Sequence, residues 1–162
     1  MPTIIIPPYM AQAGSMIAGE AAIRRAATAT IIRPAGVYGD PEGMLMRRIQ
    51  AGEGGATGAL YGNRIHREDM SRLIAHCLER DHAGQSVPPT MVGADHDQAP
   101  THEIEDWLAD QIGVTLNRPS DPSPPRAHRR CRNSLLERIG FTLSYPTWRE
   151  GYRAALDALV QR

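Results

Sequence analysis

The sequence predicts an α/β fold, and three features carry the expectation. A β-branched run at 28–33 follows a helical segment, and a second short strand at 90–93 follows a strongly amphipathic helix. The first strand runs straight into Pro34-Ala35-Gly36, which reads as a strand end followed by a glycine-containing loop. In open α/β sheets that is the place where ligands sit.

Taken in order, Met1-Pro-Thr-Ile-Ile-Ile-Pro-Pro is a short apolar run broken by prolines. Without a basic flank it reads as a loop or an edge strand rather than a targeting peptide. Ser15 to Ala27 reads as a helix, with Ser15 placed to cap it and Ile17, Ala21 and Ala22 spaced for one buried face. Thr28 to Arg33 is the first strand, and Met44 to Ala51 a short helix. The glycine-rich stretch Gly52 to Gly62 has neither phosphate-loop spacing and reads as a flexible loop. After Arg64-Ile65-His66, the positions of Met70, Leu73, Ile74, Cys77 and Leu78 predict a helix over 68–80, with Cys77 in the core.

Thr90 to Gly93 reads as a buried strand. Thr101 to Ile112 reads as a helix with Ile104, Trp107, Leu108 and Ile112 inward, ended by Gly113. Residues 117 to 126 are too rich in proline for regular structure and predict an extended crossing. A helix at Asn133 to Ile139, capped by Asn133 and closed by Gly140, precedes a last helix whose Thr147 and Glu150 match a capping box.

Composition narrows the function classes. At 162 residues, 41% hydrophobic and 22% charged, the chain is long enough to bury one core, and with one Phe and two Trp that core should be mainly aliphatic. Basic and acidic residues balance at 18 each, which removes the overall field that draws a protein to nucleic acid or an anionic membrane. Every basic residue is Arg, so chemistry that depends on a lysine amine is excluded. Cys77 and Cys131 have no CxxC spacing, and no apolar run is long enough to span a bilayer. These features together predict a cytoplasmic protein that binds neither membrane nor nucleic acid.

Several side chains invite a functional reading beside a plainer one. His66 and Asp69 lie three apart at a helix start, but Asp69 suits the helix dipole and His66 suits a bond to nearby backbone, so the pair is read as structural. Asp95-His96-Asp97 with His102 offers metal-ligand types at a spacing that fits no zinc pattern, and no metal is expected. Arg126 to Arg132 is the densest positive cluster and lacks aromatic residues for stacking bases. It is read as a solvated or self-paired face, with the acidic helix Glu103 to Asp110 as an internal partner.

Three segments resemble one family. Thr30-Ile31-Ile32-Arg33-Pro34-Ala35-Gly36-Val37-Tyr38-Gly39 resembles the Arg-Pro-x-x-x-Tyr-Gly strand and loop of extended short-chain dehydrogenase/reductases. Asn63 to Met70 is similar to that family's Ile-His-Val-Asp-Asp-Leu segment. Asn133-Ser134, Gly140-Phe141, Tyr145-Pro146-Thr147 and Glu150-Gly151-Tyr152 resemble its terminal pattern. By this order of motifs the chain resembles the carboxyl-terminal half of an NAD(P)-dependent epimerase/dehydratase.

The resemblance implies the last part of a Rossmann-like parallel sheet with a small α/β substrate lobe. It divides the single domain 1–162 into a Rossmann remnant at 1–60 and 64–93 and a lobe at 94–162. It implies NAD or NADP as cofactor, with Pro34, Ala35, Gly36, Val37 and Tyr38 on the nicotinamide side, and a small-molecule substrate near Arg64, Arg129 and Arg130. The family's GxxGxxG turn has no match here, and the chain is expected to start after it. At the positions of the family's Tyr-x-x-x-Lys pair stand Gln12 and Met16, neither of which can exchange a proton; Tyr9 is the nearest phenol, with Ala13 four residues on. No catalytic residue is therefore assigned. Many sugar-nucleotide members carry an Arg where Gly62 stands, which argues against a nucleotide-sugar substrate. The expectation is an oxidoreductase fragment inactive alone, with an open sheet edge that invites a complementing amino-terminal half or a second copy. The alternative is a non-catalytic binding or assembly module built on the same fold.

Overall fold

The computed structural model describes residues 11–57, 60–120 and 129–160, and the side chains from residue 14 onward. The readings at Met1–Pro8 and Tyr9, the side chain of Gln12, and Arg126 with most of the 117–126 crossing lie outside the described residues.

The elements follow the predicted α/β order, with the first strand beginning at Ile31 rather than Thr28 and one further strand, Gly36–Tyr38, where a loop was expected. They are α1 (Ala11–Ala26), β1 (Ile31–Pro34), β2 (Gly36–Tyr38), α2 (Met44–Gln50), β3 (Arg64–His66), α3 (Arg67–His82), β4 (Thr90–Gly93), α4 (Thr101–Ile112), α5 (Ser134–Arg138) and α6 (Trp148–Val160). β1 pairs in parallel with β4, Ile31 opposite Thr90, and β2 pairs in parallel with β3, Gly36 opposite Arg64.

β1 ends at Pro34, as the Pro34-Ala35-Gly36 run predicts, but a new strand, β2, follows where a loop was expected. Ala35 N–H donates to Gly93 O at 2.8 Å, and Gly36 N–H donates to Asn63 O at 2.9 Å, so across this step the backbone exchanges β4 for β3 as its partner. β3 fills the opening, because its far edge accepts from Asp95 N–H at Arg64 O, 2.7 Å. β1 and β4 thus part at their carboxyl ends with β3 wedged between β2 and the segment leaving β4.

The other side of β1 carries no paired strand among the described residues. Ile31 N–H points to Pro89 O and Ala35 N–H to Gly93 O, so alternation along a parallel ladder turns the N–H of Ile32 to the free edge. Pro34, the next residue facing that edge, has no N–H to leave unmet.

Two apolar clusters hold these pieces together. Tyr38, Met46, Ile49, Ile104, Leu108, Trp148 and Tyr152 form one, and Leu73, Cys77, Met91, Leu136, Ile139, Phe141 and Leu143 the other. The predicted inward face of α4 is seen, with Ile104 and Leu108 buried and Trp107 and Ile112 packed against them. Gly113 and Gly140 follow their helices with φ of +70° and +73°, the left-handed conformation that glycine adopts without a Cβ clash.

Three expectations need correction. α1 begins at Ala11, so Ser15 lies inside it rather than at its cap, and Ile17 and Ala22 are exposed. The helix is held by polar ties instead: Arg33 grips Glu20 at 2.9 and 2.7 Å, and Arg24 reaches Thr90. Asn133 precedes α5 without a side-chain cap bond; its amide donates to Ala94 O at 2.7 Å. The glycine-rich stretch is pinned rather than loose where it is described, since Glu53 bridges Asn117 and Gly55 N–H donates to Glu105 at 2.8 Å.

Candidate functional site

The candidate site lies where the parallel strands part. Pro34 and Gly36 are exposed, Ala35 is half-buried, and Val37 keeps 55% of its surface in contact with solvent, unusual for a strand valine. At Gly36 a Cβ would come within 3.2 Å of Asn63 O, so the close approach of β2 to β3 favours glycine there. The result is an open stretch of residues at the carboxyl ends of the strands.

Tyr38 turns the other way. Its ring packs edge-on to His66 at 5.4 Å and against Tyr152 at 4.6 Å, and its hydroxyl donates to Thr147 O at 3.3 Å. Burial pushes the phenol far above its ordinary pKa, helped by Asp95, Tyr152 and Asp69 and opposed by Arg64. The phenol therefore stays neutral and anchors the run from below.

His66 caps α3, its Nδ1 accepting from Glu68 N–H at 3.4 Å. Burial pulls its pKa below the ordinary range, against the opposite pull of Asp69 and Glu68. Asp69 is fully buried and saturated: Ser144 and Tyr145 donate their N–H groups to its two oxygens, and Arg72 pairs with it at 2.8 Å. Both side chains are thereby engaged in joining α3 to the segment before α6.

Arg64 is half-buried, its guanidinium 5.8 Å from the centre of the Tyr152 ring. Arg129 and Arg130 are exposed. Asn63 draws their segment against β3: its amide donates to Arg129 O at 2.8 Å and accepts from Cys131 N–H at 2.7 Å. Arg130 lies 4.2 Å over the Tyr61 ring and donates to the Tyr61 hydroxyl at 2.6 Å. The structure thus brings the Gly36–Val37 run and the arginine segment to opposite sides of one residue, Asn63.

The acidic helix does not serve as partner to Arg129–Arg132. Glu105 and Asp106 pair instead with Arg118 at 2.8 and 2.6 Å, and Arg48 approaches Glu105 at 3.9 Å. Arg118 reaches them from the chain leaving α4, so it takes the acceptors that sequence reasoning gave to the later cluster.

Sequence reasoning gave Asp95 only a place in a polar loop, whereas it is 1% exposed. Gln98 donates to its Oδ1 at 3.3 Å, and its Oδ2 has no partner. Burial, with Asp97 nearby, pushes its pKa up to about 8 despite Arg64. Its only sequence signal was its position two residues past a strand of the sheet. His96 turns instead to Asn133, and Asp97 to Arg149 at 3.2 Å. Among the described residues no group of three His, Cys, Asp or Glu side chains is placed to hold a metal ion, and no helix is long and apolar enough to cross a membrane.

No family model matches the chain, and no curated protein is significantly similar to it. Solved structures are. A protein of Methylobacillus flagellatus described as an NAD-dependent epimerase/dehydratase superimposes with a TM-score of 0.75 at 28% identity, over 99% of this chain and 56% of its own. The dTDP-glucose 4,6-dehydratase of Bacillus anthracis, in complex with NAD, gives 0.70 at 13% identity over 99% and 54%. That of Streptomyces venezuelae, with NAD bound, gives 0.67 at 18% over 93% and 49%. The structural neighbours of this chain are therefore NAD-dependent epimerase/dehydratases and dTDP-sugar dehydratases, and the Rossmann-like α/β fold is theirs. The chain spans about half the length of each.

Proposed function

We propose that residues 1–162 are the carboxyl-side part of an NAD(P)-dependent epimerase/dehydratase-like oxidoreductase that acts on a small substrate, and that they do not turn over alone. The observation that carries the reading is the exposure of Gly36 and Val37, with Gly36 held against Asn63, where the parallel strands part. In this reading 1–60 and 64–93 supply the sheet side and 94–162 the substrate lobe. The two apolar clusters each draw residues from both parts, so the division is one of function rather than of packing.

The residues fit one side of a dinucleotide. Pro34, Ala35, Gly36, Val37 and Tyr38 would border the nicotinamide, with Gly36 and Val37 exposed and Tyr38 fixing the run from the core. Nothing in the sequence matches the glycine-rich phosphate turn, so that part of the contact falls to another segment. NAD or NADP supplies hydride transfer in such sites; the share of this chain is to present an edge and to place Arg64, Arg129 and Arg130 on the substrate side.

The family's Tyr-x-x-x-Lys pair is missing, with Gln12 and Met16 at its positions. Tyr38 and Tyr152 are buried and held neutral, His66 is committed to its cap, and Met16 carries no charge. An amino-terminal half docking on the free edge of β1 would supply the phosphate turn, while the positions of the Tyr-x-x-x-Lys pair stay with Gln12 and Met16 of this chain; a second copy pairing along that edge is the other arrangement. The groove beside it, lined by Ile32, Ile74, Leu78, Val87 and Pro89, also supports the alternative of a non-catalytic assembly module. A reduced cytoplasm, with Cys77 and Cys131 both free, and partners that include neither membrane nor nucleic acid complete the reading.

The test is titration of the folded chain with NADH and NADPH, followed by fluorescence and thermal shift after size-exclusion chromatography. The expected outcome is no saturable binding by these residues alone. Saturable binding with a raised melting temperature would overturn the claim that another half is needed.

A further inference from the structure

Asn63 forms bonds in two directions at the start of β3. Its backbone carbonyl accepts from Gly36 N–H at 2.9 Å, inside the run read above as the cofactor side. Its side chain donates to Arg129 O at 2.8 Å and accepts from Cys131 N–H at 2.7 Å, on the run read as the substrate side. A primary amide carries a donor and an acceptor side by side, so it pairs with a main-chain segment much as a strand edge does. The residue between the two bonds is Arg130, whose guanidinium rests on Tyr61, two positions before Asn63.

Among the described residues, little besides Asn63 and the Arg130–Tyr61 contact ties this stretch down. Residues 129–132 form no helix or strand, Arg129, Arg130 and Arg132 are exposed, and the next side-chain tie is Asn133 to Ala94 O. Deleting the Asn63 amide therefore removes local order with only a small loss of buried apolar surface.

We propose that Asn63 is a positioning residue that latches Arg129–Cys131, and with it the Arg130 guanidinium, in register with Pro34–Val37, so that the substrate and cofactor sides are held as one unit. The significance of the latch rests on the functional reading above. The latch itself consists of hydrogen bonds and is testable without any ligand.

The experiment is amide exchange by NMR together with limited trypsin digestion, which reads the segment directly because Arg129, Arg130 and Arg132 are cleavage sites. Asn63→Ala is expected to speed exchange of the Cys131 amide and cleavage after these arginines by about tenfold or more, with core amides of α3 and α6 unchanged. The Gly36 amide should stay protected, since its acceptor is main chain. Asn63→Asp keeps the acceptor for Cys131 and loses the donor to Arg129, so it should restore protection at Cys131 while cleavage after Arg129 stays fast. That selective rescue is what a general stabilising role would not produce, and it carries the test if Asn63→Ala fails to fold. Wild-type exchange and cleavage in both variants, or an equal rise across the whole core, overturns the proposal. Inorganic pyrophosphate added to the wild-type chain separates the two ideas: no shift at Arg129–Cys131 removes a phosphate-binding role of the arginines, while the exchange data decide the latch independently.

Discussion

Asp69 and Tyr145, 76 residues apart in the chain, meet through a 2.8 Å bond from the Tyr145 N–H to a carboxylate that is fully buried. Ser144 N–H completes the pair at 2.7 Å. This one side chain joins the first turn of α3 to the segment that enters α6. Asp69→Ala leaves both N–H groups and Arg72 without their acceptor and should cost about 3–5 kcal/mol in urea denaturation. A loss under about 1 kcal/mol would mean that water or another group replaces the carboxylate readily.

Asp95 should make stability fall as pH rises. Its pKa is about 8 in the folded chain against an ordinary 3.8, so the folded state holds a proton that the unfolded state gives up. The associated stability is complete below the unfolded value and is lost as pH rises toward and through 8. His66, whose pKa is lowered, acts in the opposite sense around its ordinary 6.5, and Cys77 adds to the loss near 9. The comparison that isolates Asp95 is therefore wild type against Asp95→Asn at pH 7 and pH 9. The variant should lose less melting temperature over that interval, and an identical loss would show that Asp95 ionises as a solvated carboxylate does.

Gly151 lies against the Tyr38 ring, where an added Cβ would stand 2.3 Å from the hydroxyl oxygen and 2.5 Å from Cε2. Gly151→Ala should destabilise by about 1–3 kcal/mol or more through overpacking, beyond the gain that alanine brings to a helix interior. Because Tyr38 anchors the Gly36–Val37 run, the same variant should broaden the NMR signals of those residues. Unchanged stability would mean that the ring moves freely aside.

The free edge of β1 gives a ligand-free prediction. The Ile32 amide, facing that edge, should exchange at least about tenfold faster than that of Arg33, which faces β4. Equal protection of the two would mean that the edge is already covered in the isolated chain, and would weaken the case for a separate half or a second copy.

The local elements were legible because their signals are local. The apolar stripe of α3, the Thr147–Glu150 capping box and the β-branched strands each depend on neighbours within a turn or a few residues. α1 was misread in its buried face because Ile17 and Ala22 have helical spacing, but no described element covers that side. The same limit gave the acidic helix to the wrong arginines: composition shows opposite charges, and only the path of the chain after α4 brings Arg118 to Glu105 first.

By itself the sequence determined the α/β class and the order of the helices with the strands β1 and β4. It also excluded a lysine-based mechanism, since no folding can create a missing functional group. The tertiary structure alone decided that a second strand starts at Gly36 on a new partner, that β3 wedges the sheet open, and that Asn63 joins the two sides of the opening. Periodicity and propensity report which face of a segment is apolar. They do not report which distant backbone groups meet, and a split between parallel strands is made entirely of such meetings.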